Sequence, residues 1–358
     1  MSWIRPGRAS AVALSVLGLS ILGGCDSGSF VPPPTPGLES IGQTTAAPAT
    51  LTLAMILDPR DTPERVTWVA AARQEAGLAR AGLIVDRPKP GEPASAQAAL
   101  IRKAAGPGGA SALIVEPMDD PAVSEALRDA RAAGTPVVVL GRKLASRDPA
   151  APFASVAHPP ASETAGALVT ALMADAKGSG ASPGGHALIP LNTGSGPGTE
   201  EMAAALAEAL KAAGVTKVES APFKGDYEAA FKALSARLEA DREVAFLLAP
   251  EDQGLAGALK AYDAVKASRP LGMVGLTTVD RTVNPSFLTN CAAIADRNVS
   301  SLSRQAVLLA LRLARRESTA GDVVVPQPLY GRNVAQGAVF QQSKPTPPPP
   351  SSGTKSAK

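Results

Sequence analysis

Between residues 51 and 342, short apolar segments alternate with longer segments that have helical periodicity. The segments 51–57 (LTLAMIL) and 112–115 (ALIV) are apolar throughout, which is typical of strands covered on both faces. The segment 120–133 has helical spacing, with Pro121 at its start and Gly134 directly after its end. Alternation of this kind predicts an α/β fold in which parallel sheets lie between layers of helices.

The alternation occurs in two successive runs of four to five strand–helix units, which predicts two doubly wound lobes. The second run contains the predicted strands 186–190 and 244–248. The length of 358 residues agrees with two lobes, since domains are typically about 100–200 residues long. Ligands of open α/β sheets bind beyond the carboxyl ends of the strands. The sequence therefore predicts a binding cleft between the two lobes.

Both ends of the chain differ in composition from this central part. Arg5 and Arg8 precede an apolar run, 11–22, that is typical of a signal peptide and too short to span a membrane. Residues 22–25 (LGGC) resemble the bacterial lipobox, which predicts cleavage before Cys25 and acylation of its sulfur. The alternative is an ordinary signal peptide that contains a cysteine. We expect a signal peptide at 1–24, a disordered tether at 25–49 and a disordered proline-rich tail at 343–358.

The net charge of +3 comes from the ends of the chain. Residues 50–342 carry 30 basic and 30 acidic side chains, so the charge gives no reason to expect a nucleic-acid partner. The chain has two cysteines and two histidines, which makes a disulfide scaffold, a cysteine zinc site and a histidine-rich metal site unexpected. We expect neither a metal nor a cofactor.

Motifs that would carry catalysis are weak. The turn 194–199 (GSGPGT) opens a predicted helix, where backbone N–H groups can hold an anion, but it lacks the spacing and the lysine of phosphate-binding loops. A plain strand-to-helix turn is the preferred interpretation. His158 and His186 have no partner at ligand spacing, and Cys291 lies in an apolar segment typical of a buried thiol. Because no nucleophile and base stand in a recognisable pattern, we expect that the protein is not an enzyme.

Two stretches carry a family resemblance. Residues 112–142 contain an apolar strand, a proline, an acidic turn, a helix and the sequence GTPVVVLGR, and residues 227–275 add a helix, a strand, an acidic pair and a strand with MVG. This order resembles the periplasmic sugar-binding proteins of ABC transporters, of the ribose- and galactose-binding type. The resemblance implies two lobes joined by a hinge of several strands. The expected lobes are 50–157 with about 295–318, and 158–294 with about 319–342.

The resemblance also indicates where ligand residues stand, and the family's usual residue types are mostly missing there. Glu64 and Arg65 replace an aromatic pair, and His158 stands where an Asp-Asn pair is usual. Trp68 lies one helical turn from Arg65 and faces either the cleft or, equally well, the core or the surface. The aromatic content of 3% argues against an ordinary sugar, because sugars are held on aromatic faces. By position, the predicted ligand-binding residues are Asp58, Thr62, Arg65, Trp68, Arg142, Glu251, Asp252 and Thr277.

The leading hypothesis is a solute-binding protein of the periplasm or cell envelope, anchored to the membrane by lipid on Cys25. It would close two lobes around a small polar, carbohydrate-like ligand and present that ligand to an ABC permease or a membrane sensor. The alternative is an envelope lipoprotein whose cleft has degenerated and which acts through protein–protein contacts. A cytoplasmic regulator is disfavoured, because a signal peptide stands where a helix-turn-helix is expected.

Overall fold

The computed structural model describes residues 51–334, with gaps at 61, 145–152, 181, 183, 267, 269, 279–288, 318–320 and 333. The predicted signal peptide, Cys25, the tether and the tail lie outside the described residues. No helix within the described part of the chain is long and apolar enough to cross a membrane.

Twelve strands and eight helices are described. The first half of the chain contains β1 (Thr52–Ile56), α1 (Pro63–Leu78), β2 (Gly82–Asp86), α2 (Ala94–Ala105), β3 (Ala112–Val115), α3 (Pro121–Ala132), β4 (Val137–Gly141), β5 (Ala154–Ala157) and α4 (Ala161–Ser179). The second half contains β6 (His186–Asn192), α5 (Pro197–Ala212), β7 (Lys217–Phe223), α6 (Tyr227–Ala240), β8 (Val244–Ala249), α7 (Asp252–Val265), β9 (Gly272–Thr277), β10 (Ala293–Asp296), α8 (Val299–Ala314), β11 (Asp322–Val324) and β12 (Leu329–Tyr330).

The strands form two six-stranded sheets, one in each lobe. The order is β11-β5-β4-β3-β1-β2 in the first sheet and β12-β10-β9-β8-β6-β7 in the second. All neighbouring strands are parallel except β10 and β12. Each sheet is doubly wound, and its strand order reverses once, beside β1 in the first lobe and beside β6 in the second. The predicted α/β fold of two doubly wound lobes is confirmed.

Both sheets are covered on their two faces, as the apolar strands predicted. In β1, Leu53 and Met55 pack into a core shared with α1 and α8, while Ala54 and Ile56 face a second core shared with α2 and α3. In β10, Ala293 and Ala295 face one core and Ile294 the other. Successive side chains of a strand point to opposite faces, so an apolar run is buried throughout only when helices cover both faces.

Side-chain caps fix the start of three helices that border the cleft. Thr62 Oγ1 accepts a hydrogen bond from Arg65 N (3.3 Å) and begins α1, and Asp120 caps α3 through Ala122 N (2.7 Å). Glu251 caps α7 through the backbone N–H groups of residues 253 and 254. Each cap satisfies N–H groups that have no partner inside the helix.

The chain passes between the lobes three times: after β5, after β10 and between β11 and β12. One expected boundary is wrong. We expected 319–342 to belong to the second lobe, but β11 pairs in parallel with β5 in the first sheet, with Val323 opposite Val156. The chain therefore returns to the second lobe only between Val324 and Leu329. The sequence of a three-residue strand does not indicate which sheet the strand joins. The pairing of β11 is decided by the free edge of β5.

Candidate functional site

A cleft of about 640 Å³ lies between the two lobes, at the carboxyl ends of the strands. Asp58 follows β1 and Glu116 follows β3, on either side of the point where the strand order of the first sheet reverses. Asn192 at the end of β6 and Glu251 after β8 occupy the same positions in the second sheet. Such switch points are where open α/β sheets bind ligands. The cleft has the volume of an ordinary small-molecule site.

Two ion pairs line the wall that the first lobe contributes. Arg60 donates from Nε and Nη2 to the two carboxylate oxygens of Asp58, both at 2.8 Å. Arg65 donates from Nε to Glu116 Oε2 (2.7 Å), from Nη2 to Glu116 Oε1, and from Nη1 to the carbonyl of Arg60 (2.9 Å). Burial of Asp58 acts to raise its pKa, but the hydrogen bonds from Arg60 and the charge of Arg65 lower it below the ordinary value. These bidentate pairs hold the wall rigid and charge-balanced.

Arg142 follows β4 and completes this wall. Its Nη2 donates to the carbonyl of Pro117 (2.9 Å), and its Nη1 lies 3.7 Å from Asp119, which is well exposed. Gly141 before it has φ +86°, and a Cβ there would lie 3.6 Å from the Trp68 ring. The left-handed turn at Gly141 directs the chain from the end of β4 past the tryptophan.

The floor of the cleft consists of buried polar groups on α1 and at the lobe crossings. Trp68 is 4% exposed, belongs to the first-lobe core, and its Nε1 has no hydrogen-bond partner. Glu64 lies one turn earlier on α1; its Oε2 pairs with Arg297 at 3.2 Å, while its Oε1 is buried without a partner. His158, at the crossing after β5, has two buried ring nitrogens that make no hydrogen bond.

The same burial shifts the protonation of these floor groups. Burial, followed by the positive charge of Arg297, lowers the pKa of His158 to about 3, so the imidazole is neutral at physiological pH. Burial also raises the pKa of Glu64; the nearby Arg297 opposes this, while the carboxylates of Glu116 and Asp252 add to it. Asp252 belongs to the second lobe, so its charge reaches Glu64 across the cleft.

The second lobe contributes a wall of carboxylates and a glycine turn. Asp252 accepts hydrogen bonds from Thr277 Oγ1 (2.7 Å), Thr278 N (2.9 Å) and Thr278 Oγ1. Burial raises the pKa of Glu251, although the backbone N–H groups at the start of α7 oppose this. Across the cleft, Arg60 reaches the turn before α5: a Cβ on Gly196 would lie 1.8 Å from Arg60 Nη1. The guanidinium of Arg60 therefore lies against the glycine turn, in space that a side chain at residue 196 would fill. The sequence predicts only a strand-to-helix turn here.

Seven of the eight predicted site residues line the cleft. Arg65 lies there but is committed to Glu116, and Thr62 is a helix cap as well as a lining residue. Thr277 is not among the lining residues; it is buried behind Asp252, to which it donates a hydrogen bond. The lining residues that were predicted are Asp58, Thr62, Arg65, Trp68, Arg142, Glu251 and Asp252.

Several lining residues were not predicted as ligand residues. They are Arg60, Glu64, Glu116, His158, Asn192 and Arg297. A signal for Glu116 was present, since it follows a buried strand beside the expected switch point. The sequence carries no local signal for Arg297, because only the crossing after β10 brings it to Glu64 on α1.

Two further features concern metal ligands and the thiol in the described part of the chain. No group of three His, Cys, Asp or Glu side chains among the described residues is arranged to hold a metal ion. Cys291 is buried, as predicted, and burial raises the pKa of its thiol to about 12. A thiol in this state is a poor nucleophile at neutral pH.

Comparison with known proteins identifies a family. The sequence matches the family profile described as periplasmic binding protein domain over residues 54–317. No curated protein matches the chain significantly.

Solved structures share the fold at low sequence identity. A periplasmic solute-binding protein of an ABC transporter from Actinobacillus succinogenes 130z with bound D-allose superposes with a TM-score of 0.62 at 16% identity, covering 79% of this chain and 98% of that one. A periplasmic ribose ABC transporter protein from Conexibacter woesei gives 0.62 at 17% identity, with 78% and 92% covered. A solute-binding protein from Mycobacterium smegmatis with bound glycerol gives 0.61 at 20% identity, with 79% and 94% covered.

Proposed function

We propose that this chain, which belongs to the periplasmic binding protein family, captures a small polar ligand in the cleft between its lobes. It acts outside the cytoplasmic membrane and presents the ligand-bound, closed form to an ABC permease or a membrane sensor. Its role is binding and delivery, without catalysis.

The arrangement of the lobes supports capture by closure. Three short crossings join the lobes, and both lobes contribute polar groups to one cleft. A ligand that contacts both walls stabilises the closed form relative to the open form, because closure adds the contacts of the second wall. Solved structures with the same fold contain D-allose or glycerol, which are small polyhydroxyl compounds.

The observation that carries the proposal is the set of unpartnered polar atoms on the floor. Trp68 Nε1, Glu64 Oε1 and both ring nitrogens of His158 are buried and make no hydrogen bond within the protein. A buried polar group without a partner costs about 1–3 kcal/mol, so several together are expected to be satisfied by something that enters the cleft. A small molecule with several donors and acceptors supplies these partners.

Thermal melting tests this function directly. The chain without residues 1–24 and with Cys25→Ser is melted alone and with sugars, polyols, amino sugars and polyamines. A ligand at about 100 times its Kd stabilises the folded form by about 2.7 kcal/mol, so the melting temperature rises. Asp252→Asn, on the cleft wall, is expected to reduce this rise, whereas Asp263→Asn at the exposed end of the same helix retains it.

One observation favours the alternative of a cleft that no longer binds solutes. All four lining arginines contact acceptors of the chain itself: Asp58, Glu116, Pro117 O with Asp119, and Glu64. A protein that acts only through protein contacts would show no melting shift with any compound of the panel, and that result would overturn the capture proposal.

Membrane anchoring through Cys25 completes the proposed function. The LGGC sequence and the Pro- and Ser-rich stretch after it support a lipid anchor followed by a tether. Cys25→Ser is expected to move the protein from the membrane fraction to the soluble fraction, while Cys291→Ala, which removes the other thiol, leaves it in the membrane fraction. Retention of the Cys25→Ser protein in the membrane fraction would contradict the anchor.

A further inference from the structure

The charges that line the cleft are unequally distributed. Among the described lining residues there are seven carboxylates and four arginines, so the cleft has an excess of negative charge. The arginines all pair with carboxylates of the first lobe. The carboxylates that remain without an arginine or lysine partner among the described residues belong to the second lobe, namely Glu201, Glu251 and Asp252.

The arginines of the first-lobe wall are therefore neutralised by carboxylates of the same wall and present no unpaired positive charge to a ligand. Asp58 with Arg60 and Glu116 with Arg65 are held by two hydrogen bonds per pair. An anionic ligand would have to displace a chain carboxylate from its arginine, which exchanges one ion pair for another with no net gain. An anion is consequently disfavoured, although four guanidiniums line the site.

The second observation is a buried, unpartnered acceptor beside this wall. Glu64 keeps 16% of its side-chain surface exposed, yet its Oε1 is buried and makes no hydrogen bond. Trp68 Nε1, one turn along the same face of α1, is buried and unpartnered as well. Glu64 in the first lobe also feels the like charge of Asp252 in the second, while Arg297 pairs with its other oxygen.

The pKa directions agree with this geometry. The pKa of Glu64 is raised by burial in spite of Arg297, and the pKa of Glu251 is raised by burial in spite of its backbone hydrogen bonds. A raised carboxyl pKa means that the site stabilises the negative charge less well than water does. The charge of Arg297 opposes both shifts without cancelling them, so further positive charge beside these two carboxyl groups would stabilise their ionised forms.

We propose that the ligand of this cleft carries a protonated amine together with hydroxyl groups, as an amino sugar does. The amine lies between Glu64 of the first lobe and the carboxylates of Glu251 and Asp252 in the second. The hydroxyl groups form hydrogen bonds with Trp68 Nε1 and with the ring nitrogens of His158. This inference rests on the proposed function and specifies its ligand.

The amine explains closure better than a neutral sugar does. A cation between Glu64 and Asp252 is attracted by a carboxylate of each lobe, which favours the closed form specifically. A neutral sugar gains neither attraction. Trp68 is the only tryptophan, tyrosine or phenylalanine among the described lining residues, so the cleft also lacks the two aromatic faces between which a neutral sugar ring stacks.

Matched compounds that differ only in the amine test this inference. The Cys25→Ser chain is melted at pH 7 with D-glucosamine, D-glucose and N-acetyl-D-glucosamine, and with the corresponding galactose series. Any amine that raises the melting temperature is then titrated by calorimetry. We expect a shift from at least one amine and none from its neutral counterparts.

Charge-removing variants test the assigned contacts. Asp252→Asn and Glu64→Gln keep the size of each side chain, and each is expected to weaken amine binding about ten- to hundredfold, the range for a lost charge-assisted hydrogen bond. Asp263→Asn, on the exposed surface of α7, is expected to leave the affinity unchanged. Unchanged affinity in both cleft variants would overturn the assignment.

The outcomes separate this inference from the proposed function. A neutral sugar that shifts melting as much as its amine, or in place of it, overturns the amine inference and leaves solute capture standing. If no compound of the panel shifts melting, solute capture itself is overturned, and the amine inference with it.

Discussion

His158 predicts a loss of stability in acid that can be assigned to a single side chain. Both ring nitrogens are buried, and burial together with the charge of Arg297 lowers the pKa of the imidazole to about 3. The backbone of Val325 raises the pKa of His158, against the other two effects, but neither ring nitrogen forms a hydrogen bond of ordinary geometry with it. The folded protein therefore keeps His158 neutral at pH values where a histidine of the unfolded chain is protonated.

The magnitude follows from the two pKa values. The unfolded chain takes up the proton near pH 6.5, and the folded chain only near pH 3. The stability that a neutral His158 contributes is complete above pH 6.5 and is lost as the pH falls towards 3. Each pH unit in this window changes the free energy of unfolding by about 1.4 kcal/mol, which gives a loss of about 2–3 kcal/mol between pH 7.5 and 4.5.

Urea denaturation at pH 7.5 and 4.5 measures this loss. Wild type is compared with His158→Asn, which cannot titrate, and with His186→Asn as the matched control. The ring nitrogens of His186 lie 2.6 Å from Asp241 and 3.0 Å from Glu243, so this control replaces a histidine whose ring nitrogens have partners in the folded state. Buried carboxylates that contact neither histidine also titrate in this range, but they contribute equally to all three proteins. The hydrogen bond from His186 lowers the pKa of Asp241 further below its ordinary value, so Asp241 titrates below this pH window.

We expect wild type and His186→Asn to lose about 2–3 kcal/mol more than His158→Asn between the two pH values. His158→Gln provides a second non-titrating variant if the asparagine variant folds poorly. Equal losses in wild type and both His158 variants would refute the reasoning, because the imidazole would then be charged equally in the folded and unfolded states.

Two further predictions concern a carboxyl group and two glycines. Because burial raises the pKa of Glu64, ionisation of Glu64 destabilises the folded form; urea denaturation should show wild type losing stability relative to Glu64→Gln as the pH rises from about 4 to neutrality, and parallel curves would contradict this. A Cβ on Gly257 would lie 2.5 Å from the Cβ of Ala230 between α6 and α7, so Gly257→Ala is expected to cost about 1–3 kcal/mol in thermal melting. Gly166→Ala in α4 meets no atom within 4 Å and should be neutral or slightly stabilising; equal effects of the two substitutions would contradict the packing argument.

Much of the fold could be predicted from local sequence. The apolar run 51–57 contains β1 because its apolar side chains face one or the other of two cores. Pro63 begins α1 because its missing N–H is not needed in the first turn. The cap that Asp120 provides at the start of α3 is a local feature of the same kind. Such signals lie within a few residues of the element they determine.

The sequence predicted where the site residues lie better than it predicted which groups they contact. Asp58 and Asp252 line the cleft as expected, because strand ends are readable from the sequence. Arg65 shows the limit: it lies in the cleft, but its guanidinium is committed to Glu116, which is 51 residues away in the chain. To predict that Arg65 pairs with Glu116, one would need to know the order of the strands in the sheet.

The sequence by itself determined the α/β alternation, the two lobes and the position of a cleft, because hydrophobic periodicity and strand ends are local properties. The tertiary structure alone decided how the charges in the cleft pair. It brought Arg297 to Glu64, Arg60 to Gly196 and β11 to the first sheet through crossings between the lobes. The excess of carboxylates in the cleft depends on which side chains the fold brings there, since residues 50–342 as a whole carry no net charge.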